Sequence, residues 1–196
     1  MTNFKERLVL KQQPLDRTVL SQVSWDYDWD LEGAGRVGDD PYVDIWRTED
    51  QSVEIHYVED GMVGLSYLTL YGDDVSAVRE QIISQCALWS PAEALAAERA
   101  ATDRDDRLRA IYAAALSESG ASDPELVEAF RRIARTDEDP GIRQAVVVAT
   151  GYLPWPELIE LLEELRENDP ADHVRHNAGV MLEGLRLHPP VGGDGS

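Results

Sequence analysis

One repeated pattern constrains the fold of this chain more than any other feature. In three places an Asp is followed by four residues, an aliphatic residue and an Arg: Asp103…Leu108-Arg109, Asp137…Ile142-Arg143 and Asp169…Val174-Arg175. The copies are spaced by 34 and 32 residues. Repeats of this length are typical of stacked supersecondary units, each of which needs a neighbour to bury its apolar face. The C-terminal half is therefore predicted to be a repeat array.

Helical periodicity and helix-start signals define the elements of this array. After each aliphatic residue, apolar residues continue at helical spacing, as Ala145, Val146 and Ala149 do in the second copy. Capping residues followed by proline mark helix starts at Ser90-Pro91, Asp123-Pro124 and Asp139-Pro140. The sequence predicts six helices in three hairpins, near 91–101, 105–118, 124–135, 141–153, 156–167 and 172–187.

The second and third copies, Asp137 to Ala145 and Asp169 to Ala178, resemble the Asp…Val-Arg…Ala pattern of HEAT-like repeats. The form is the short bacterial one, also seen in phycobilisome-lyase-type HEAT proteins, and the resemblance covers about residues 91–187. The first copy departs from the pattern, because Ile111 stands where the Ala is expected.

The resemblance implies an α-solenoid in which the Asp and Arg side chains join successive repeats through polar contacts. Alternatively, the Arg side chains bind a partner: Arg109, Arg143 and Arg175 would line the concave face and bind an acidic group. A lyase-type or small-molecule or chromophore-binding role is also implied, with Tyr112, Tyr152, Trp155, His173 and His176 as candidate ligand contacts.

Before Ser90 the pattern has period two. Alternating apolar runs around 43–45, 53–57 and 63–67, with Asp60-Gly61 as a hairpin turn, predict a three-stranded antiparallel meander. A helix is predicted over 74–89, with Cys86 on its buried stripe. Residues 1–20 give no clear pattern, and residues 1–90 resemble no recognised family.

These patterns predict an α+β N-terminal domain followed by an all-α HEAT-like solenoid. We expect residues 1–90 to form the α+β domain, which caps the solenoid of residues 91–187. Residues 188–196 are expected to be a flexible tail, since they hold little that a fold could bury.

The net charge of the chain limits the classes of partner that it can bind. The chain has 18 basic and 38 acidic residues, a net charge of −20, and such a charge repels nucleic acids and anionic lipids. It favours a basic protein partner, or else reflects a GC-rich or salt-adapted genome, since most basic residues are Arg.

The apolar runs are too short for a membrane span or a signal peptide, which predicts a cytoplasmic protein. A single cysteine excludes an internal disulfide.

The acidic residues concentrate between Asp16 and Asp60. The run Trp25 to Asp30 alternates aromatic and acidic residues, which favours an amphipathic strand with three buried rings on one face and three carboxylates on the other. The alternative is an acidic contact surface for a basic partner. A calcium loop is disfavoured, because its sixth and twelfth positions hold Leu31 and Val37. The candidate partner-binding carboxylates are Asp26, Asp28, Asp30, Asp39, Asp40 and Asp44.

Catalytic and cofactor motifs lack supporting context. The Gly33 to Gly38 segment matches G-x-G-x-x-G, but the acidic residues on both sides would repel a dinucleotide, so a loop is predicted. His173 and His176 have no third ligand at a zinc-site spacing. No nucleophile motif is present. We therefore expect no enzyme activity, cofactor or metal.

The sequence is best interpreted as a non-enzymatic protein-binding module or adaptor. Two surfaces are candidates, the acidic N-terminal stretch and the concave face of the solenoid. In its sharpest form the hypothesis is a bacterial immunity or inhibitor protein that plugs the basic active site of a nuclease toxin.

Overall fold

The computed structural model describes residues 4–12 and 17–187, which form two compact units. The first, here called the sheet unit, comprises the described residues up to Glu93 together with Leu116–Ser119. The second, the helical unit, comprises Ala94–Ala115 and the described residues from Gly120 onward. The predicted tail, 188–196, lies outside the described residues.

The sheet unit is built on five antiparallel strands in the spatial order β1-β5-β4-β3-β2. The predicted meander is confirmed as β3, β4 and β5, and the sequence did not reveal the two outer strands. The strands are β1 (Phe4–Val9), β2 (Trp29–Gly33), β3 (Tyr42–Thr48), β4 (Glu54–Asp60) and β5 (Leu65–Tyr71).

Two helices, α1 (Arg17–Asp26) and α2 (Ser76–Gln85), complete the apolar core of this unit. Leu20 of α1 and Ile82 of α2 pack with the strand residues Tyr57 and Leu68, all almost fully buried. Such burial of aliphatic and aromatic side chains is the main favourable contribution to folding. Cys86 is buried, as predicted.

Helix α2 is shorter than the predicted 74–89, because the backbone becomes extended at Cys86. The following residues pair with the end of β1: the Lys11 N–H donates to the Ala87 carbonyl at 2.9 Å, and the Trp89 N–H donates to the Val9 carbonyl at 2.8 Å. These backbone bonds are satisfied only if the helix ends before them.

The predicted strand over Trp25 to Asp30 is wrong. Trp25 and Asp26 end helix α1, a turn follows with Asp28 at φ 54°, and β2 begins at Trp29. The rings therefore do not share a face: Trp25 is 83% exposed, whereas Trp29 is buried. Six residues of alternation are too few to distinguish a strand from a helix end and a turn.

Six helices follow along the chain, and each lies within a few residues of its predicted range. They are α3 (Pro91–Ala100), α4 (Arg104–Leu116), α5 (Pro124–Thr136), α6 (Pro140–Thr150), α7 (Pro156–Asn168) and α8 (Asp172–Leu187). The predicted caps are present, since Asp123 accepts a hydrogen bond from the Glu125 N–H and Asp139 accepts one from the Gly141 N–H. Proline in the first turn needs no backbone donor there, so these starts are well defined.

Candidate protein-binding surfaces

A buried ion pair joins the second and third repeats. Arg143, on α6, donates from Nε and Nη2 to the two carboxylate oxygens of Asp169, at 2.7 and 2.9 Å. Its Nη1 donates to the Asp137 carbonyl at 2.8 Å. Both side chains are nearly inaccessible, with 7% of Arg143 and 1% of Asp169 exposed. This contact is of the kind that the HEAT resemblance implies.

The pair is charged at neutral pH. Burial alone would raise the pKa of Asp169, but the hydrogen bonds from Arg143 and from the Ala171 N–H outweigh it and lower that pKa. The same bidentate bond raises the pKa of Arg143. Arg143 is thus fully used within the fold and offers no free group to a partner.

In the first repeat the linking residue is Arg107, which corrects the expectation for Arg109. Arg107 donates from Nη2 to Glu98 at 2.8 Å and to Asp137 at 2.6 Å. Arg109 is exposed and pairs with Asp106 of its own helix at 2.9 Å.

The spacing of the helix start explains the shift. Asp103 directly precedes α4, whereas Asp137 and Asp169 each lie three residues before their helices. The linking Arg is the fourth residue of α4, α6 and α8 alike, so the shorter loop of the first copy moves it by two positions. Counting from the helix start, rather than from the Asp, would have identified it.

The links continue along the helical unit as one chain of polar contacts. Glu98, only 2% exposed, accepts from Arg107 and also from Arg132 of α5, at 2.7 Å. The Asp169 carbonyl accepts from Arg175, which also pairs with Asp172. Glu98 was not singled out in the sequence. We call this set, Glu98, Arg107, Asp137, Arg143, Asp169 and Arg175, the polar ladder.

Three side chains at the fifth or ninth position of the second helices are at least partly accessible. Tyr112 of α4 is partly buried, and burial raises its pKa. Gln144 of α6 has an inaccessible Oε1 with no hydrogen-bond partner in the described part of the chain. Val180 of α8 is 55% exposed. Partly exposed aromatic and apolar side chains are features of protein-binding surfaces.

The six acidic candidates do not form a single surface. Asp28 and Asp30 line an open groove together with Ser24, Trp25, Trp29 and Glu49. Within the described ranges, neither aspartate nor Glu49 pairs with a Lys or Arg. Asp26 lies next to this groove and accepts from Gln22 at 2.6 Å. We call Asp28, Asp30 and Glu49 the groove carboxylates.

Asp39, Asp40 and Asp44 lie toward the other end of β3 and have local roles. Asp39 accepts from the Arg36 N–H at 2.8 Å, and Asp40 accepts from the Gly61 N–H at 2.9 Å. Asp44 is 8% exposed and accepts from the Gly35 N–H at 3.0 Å, which anchors the loop after β2. Asp44 is therefore not accessible to a partner.

Groups that could do chemistry are few in the described residues. No three His, Cys, Asp or Glu side chains there converge into a group that could hold a metal ion. His173 and His176 are exposed on α8. Burial raises the pKa of the Cys86 thiol, so the reactive thiolate forms less readily. No described helix is long and apolar enough to cross a membrane.

Comparison with known proteins identifies the helical part alone. No curated protein and no solved structure matches the chain. Residues 92–183 match the family described as HEAT repeats, which agrees with the predicted range of 91–187. This part of the chain is similar to HEAT repeats.

Proposed function

We propose that this protein is a non-catalytic binding module or adaptor whose partner presents a basic surface. HEAT repeats commonly serve as protein-interaction scaffolds, and residues 92–183 match them. The observation that carries the proposal is the groove beside Trp25, where three carboxylates without cationic partners in the described chain surround an indole that is 83% exposed.

Electrostatics favours a basic partner. A net charge of −20 attracts cationic proteins over long distances and accelerates their association. At short range, a carboxylate beside an indole can hold a Lys or Arg side chain by ion pairing and by a cation–π contact. Exposed tryptophans are also over-represented among the residues that dominate binding energy.

The sharpest form of the proposal is a bacterial immunity or inhibitor protein that covers the basic active site of a nuclease toxin in the cytoplasm. An acidic protein can occupy such a site because it replaces the negative charge of the nucleic acid. On the helical unit, Tyr112 and Val180 of the second helices are separate candidate contact residues for a protein partner.

Affinity capture from the native lysate tests the proposal. The tagged protein would be compared with Asp28→Asn/Asp30→Asn and with the matched control Asp73→Asn/Glu183→Gln, which removes the same charge at exposed positions that do not line the groove. We expect a basic protein that is retained at low salt, released at high salt and lost only from the groove variant. Equal retention by all three proteins would refute the acidic-groove proposal.

Mass spectrometry of the same eluates examines small molecules. A retained chromophore or metabolite, with no protein partner, would favour the lyase-type or ligand-binding alternative over the adaptor. Tyr112, Tyr152 and Trp155 would then be the first residues to replace.

A further inference from the structure

The two outer strands of the sheet differ in the backbone pairing of their outer edges. The end of β1 pairs with the extended segment from Ala87 to Trp89 through two backbone hydrogen bonds. Strand β2 pairs with β3 on one side, and no backbone group in the described ranges pairs with its other side. A free edge presents N–H and C=O groups that can bind another strand.

One exposed apolar side chain lies on this edge, and two others lie on the segments that flank the strand in the chain. Leu31, in the middle of β2, is 57% exposed although its partner across the strand pair, Trp46, is buried. Trp25 precedes the strand and Val37 follows it, with 83% and 96% of their surfaces exposed. Apolar residues on an open strand edge favour association with another chain.

Carboxylates lie at one end of the edge. Trp29, at the start of β2, is opposite Thr48, so the groove carboxylates mark one end of β3.

We propose that an extended partner segment, in which Lys or Arg alternates with apolar residues, adds to β2 as a sixth strand. The inference rests on the proposed function and specifies its binding mode. Backbone hydrogen bonds to the β2 edge would supply affinity, Leu31 would contact the apolar side chains, and the groove carboxylates would select basic residues. Trp25 would contact a cationic side chain near the groove.

Three synthetic peptides test this mode on the full chain. The first is the capped heptapeptide Lys-Val-Lys-Val-Lys-Val-Lys; the second is the same peptide N-methylated at its three central residues; the third has Glu in place of Lys. The N-methylated peptide keeps every charge but loses the central backbone donors on both of its edges. Calorimetry gives the affinities, and hydrogen exchange reports protection of the β2 amides.

We expect the first peptide to bind and to protect amides within Trp29–Gly33. N-methylation and Asp28→Asn/Asp30→Asn should each weaken binding about tenfold. The control Asp73→Asn/Glu183→Gln should change affinity less than about twofold, since neither residue lines the groove and exposed charges are screened by salt. The Glu peptide should not bind.

Other outcomes separate this inference from the proposed function. Equal affinity for the first two peptides, together with weaker binding to the groove variant, would refute strand addition and leave the acidic surface in place. No binding of either basic peptide would refute strand addition, and the affinity capture would then decide the function. If Asp28→Asn/Asp30→Asn instead dimerises and no peptide protects the β2 amides, the carboxylates only prevent the edge from pairing with another strand, and the inference is wrong.

Discussion

The most buried ion pair of the helical unit differs in exposure from a comparably short ion pair of the sheet unit. In the helical unit, Arg143 and Asp169 are buried between repeats, with 7% and 1% of their side chains exposed. In the sheet unit, Arg17 and Glu59 form an equally close pair at the surface, with 42% and 29% exposed. The sheet is held in register by its backbone hydrogen bonds and by alternation of its side chains. Helix pairs have no such ladder between repeats, and we infer that buried charges fix the spacing of the repeats.

The largest loss of stability is expected for Arg143→Ala, which breaks the buried ion pair. It leaves the Asp169 carboxylate buried without its cation, which should lower the free energy of unfolding by about 3–5 kcal/mol. Urea denaturation followed by circular dichroism measures the change. A loss below about 1 kcal/mol, comparable with that of a surface pair, would contradict the distinction.

The same pair predicts a pH dependence. Because the folded pKa of Asp169 is lowered, its contribution is complete above the unfolded Asp pKa of about 3.9 and is lost as the pH falls through the folded value. In Arg143→Ala, burial without the cation raises the pKa of Asp169, so the stability difference from wild type should shrink as the pH falls from 7 toward 3. Denaturation curves between pH 7 and pH 3 measure it, and a constant difference would show that the charge of Asp169 is irrelevant.

Glu98→Ala should have a smaller effect, about 2–3 kcal/mol. Arg107 keeps its bond to Asp137, and Arg132 is 44% exposed, so water can solvate it when Glu98 is removed. The matched control is Glu128→Ala on an exposed position of α5, which should cost less than about 0.5 kcal/mol. Similar losses for the two variants would remove Glu98 from the polar ladder.

In the sheet unit, Arg17→Met should cost about 1 kcal/mol. The change breaks two hydrogen bonds to Glu59, at 2.7 and 2.6 Å, and a cation–π contact with Tyr42 at 3.7 Å, but solvent compensates both partners. Thermal unfolding in low and high salt measures it. A loss as large as that of Arg143→Ala would show that exposure does not separate the two kinds of pair.

The smallest effect is expected for Arg109→Ala. Its contact with Asp106 lies within one helix and is exposed to solvent, so the loss should stay below about 0.5 kcal/mol. Arg107→Ala, two residues earlier, should cost several times more, because Arg107 joins Glu98 to Asp137. Parallel urea titrations compare the two, and the reverse order would refute the assignment of the linking Arg by helix position.

Local signals predicted the helical unit well. Asp123 and Asp139, each followed by proline, determine where α5 and α6 begin, and the apolar spacing determines which face is buried. Such information lies within a few residues along the chain. The identity of the linking Arg in the first repeat was missed, because it depends on the two-residue difference between the loop after Asp103 and the loops after Asp137 and Asp169.

The sheet unit was predicted less completely, because its edges depend on distant residues. β1 is separated from its partner β5 by more than fifty residues, so no local pattern shows the pairing. The exposed Trp25 was predicted to share a strand face with Trp29, although a turn at Asp28 separates them. Glu49 joins Asp28 and Asp30 only through the pairing of β2 with β3, which the sequence did not indicate.

The polar ladder also bears on how such an array can change its length in evolution. Each linking Asp uses its carboxylate toward the preceding repeat and its carbonyl toward the Arg of its own repeat, as Asp137 does with Arg107 and Arg143. A duplicated copy of the middle repeat would therefore carry an acceptor for the repeat before it and a donor for the repeat after it. Gene duplication could lengthen the array without inventing a new interface, and the number of repeats is free to follow the size of the partner.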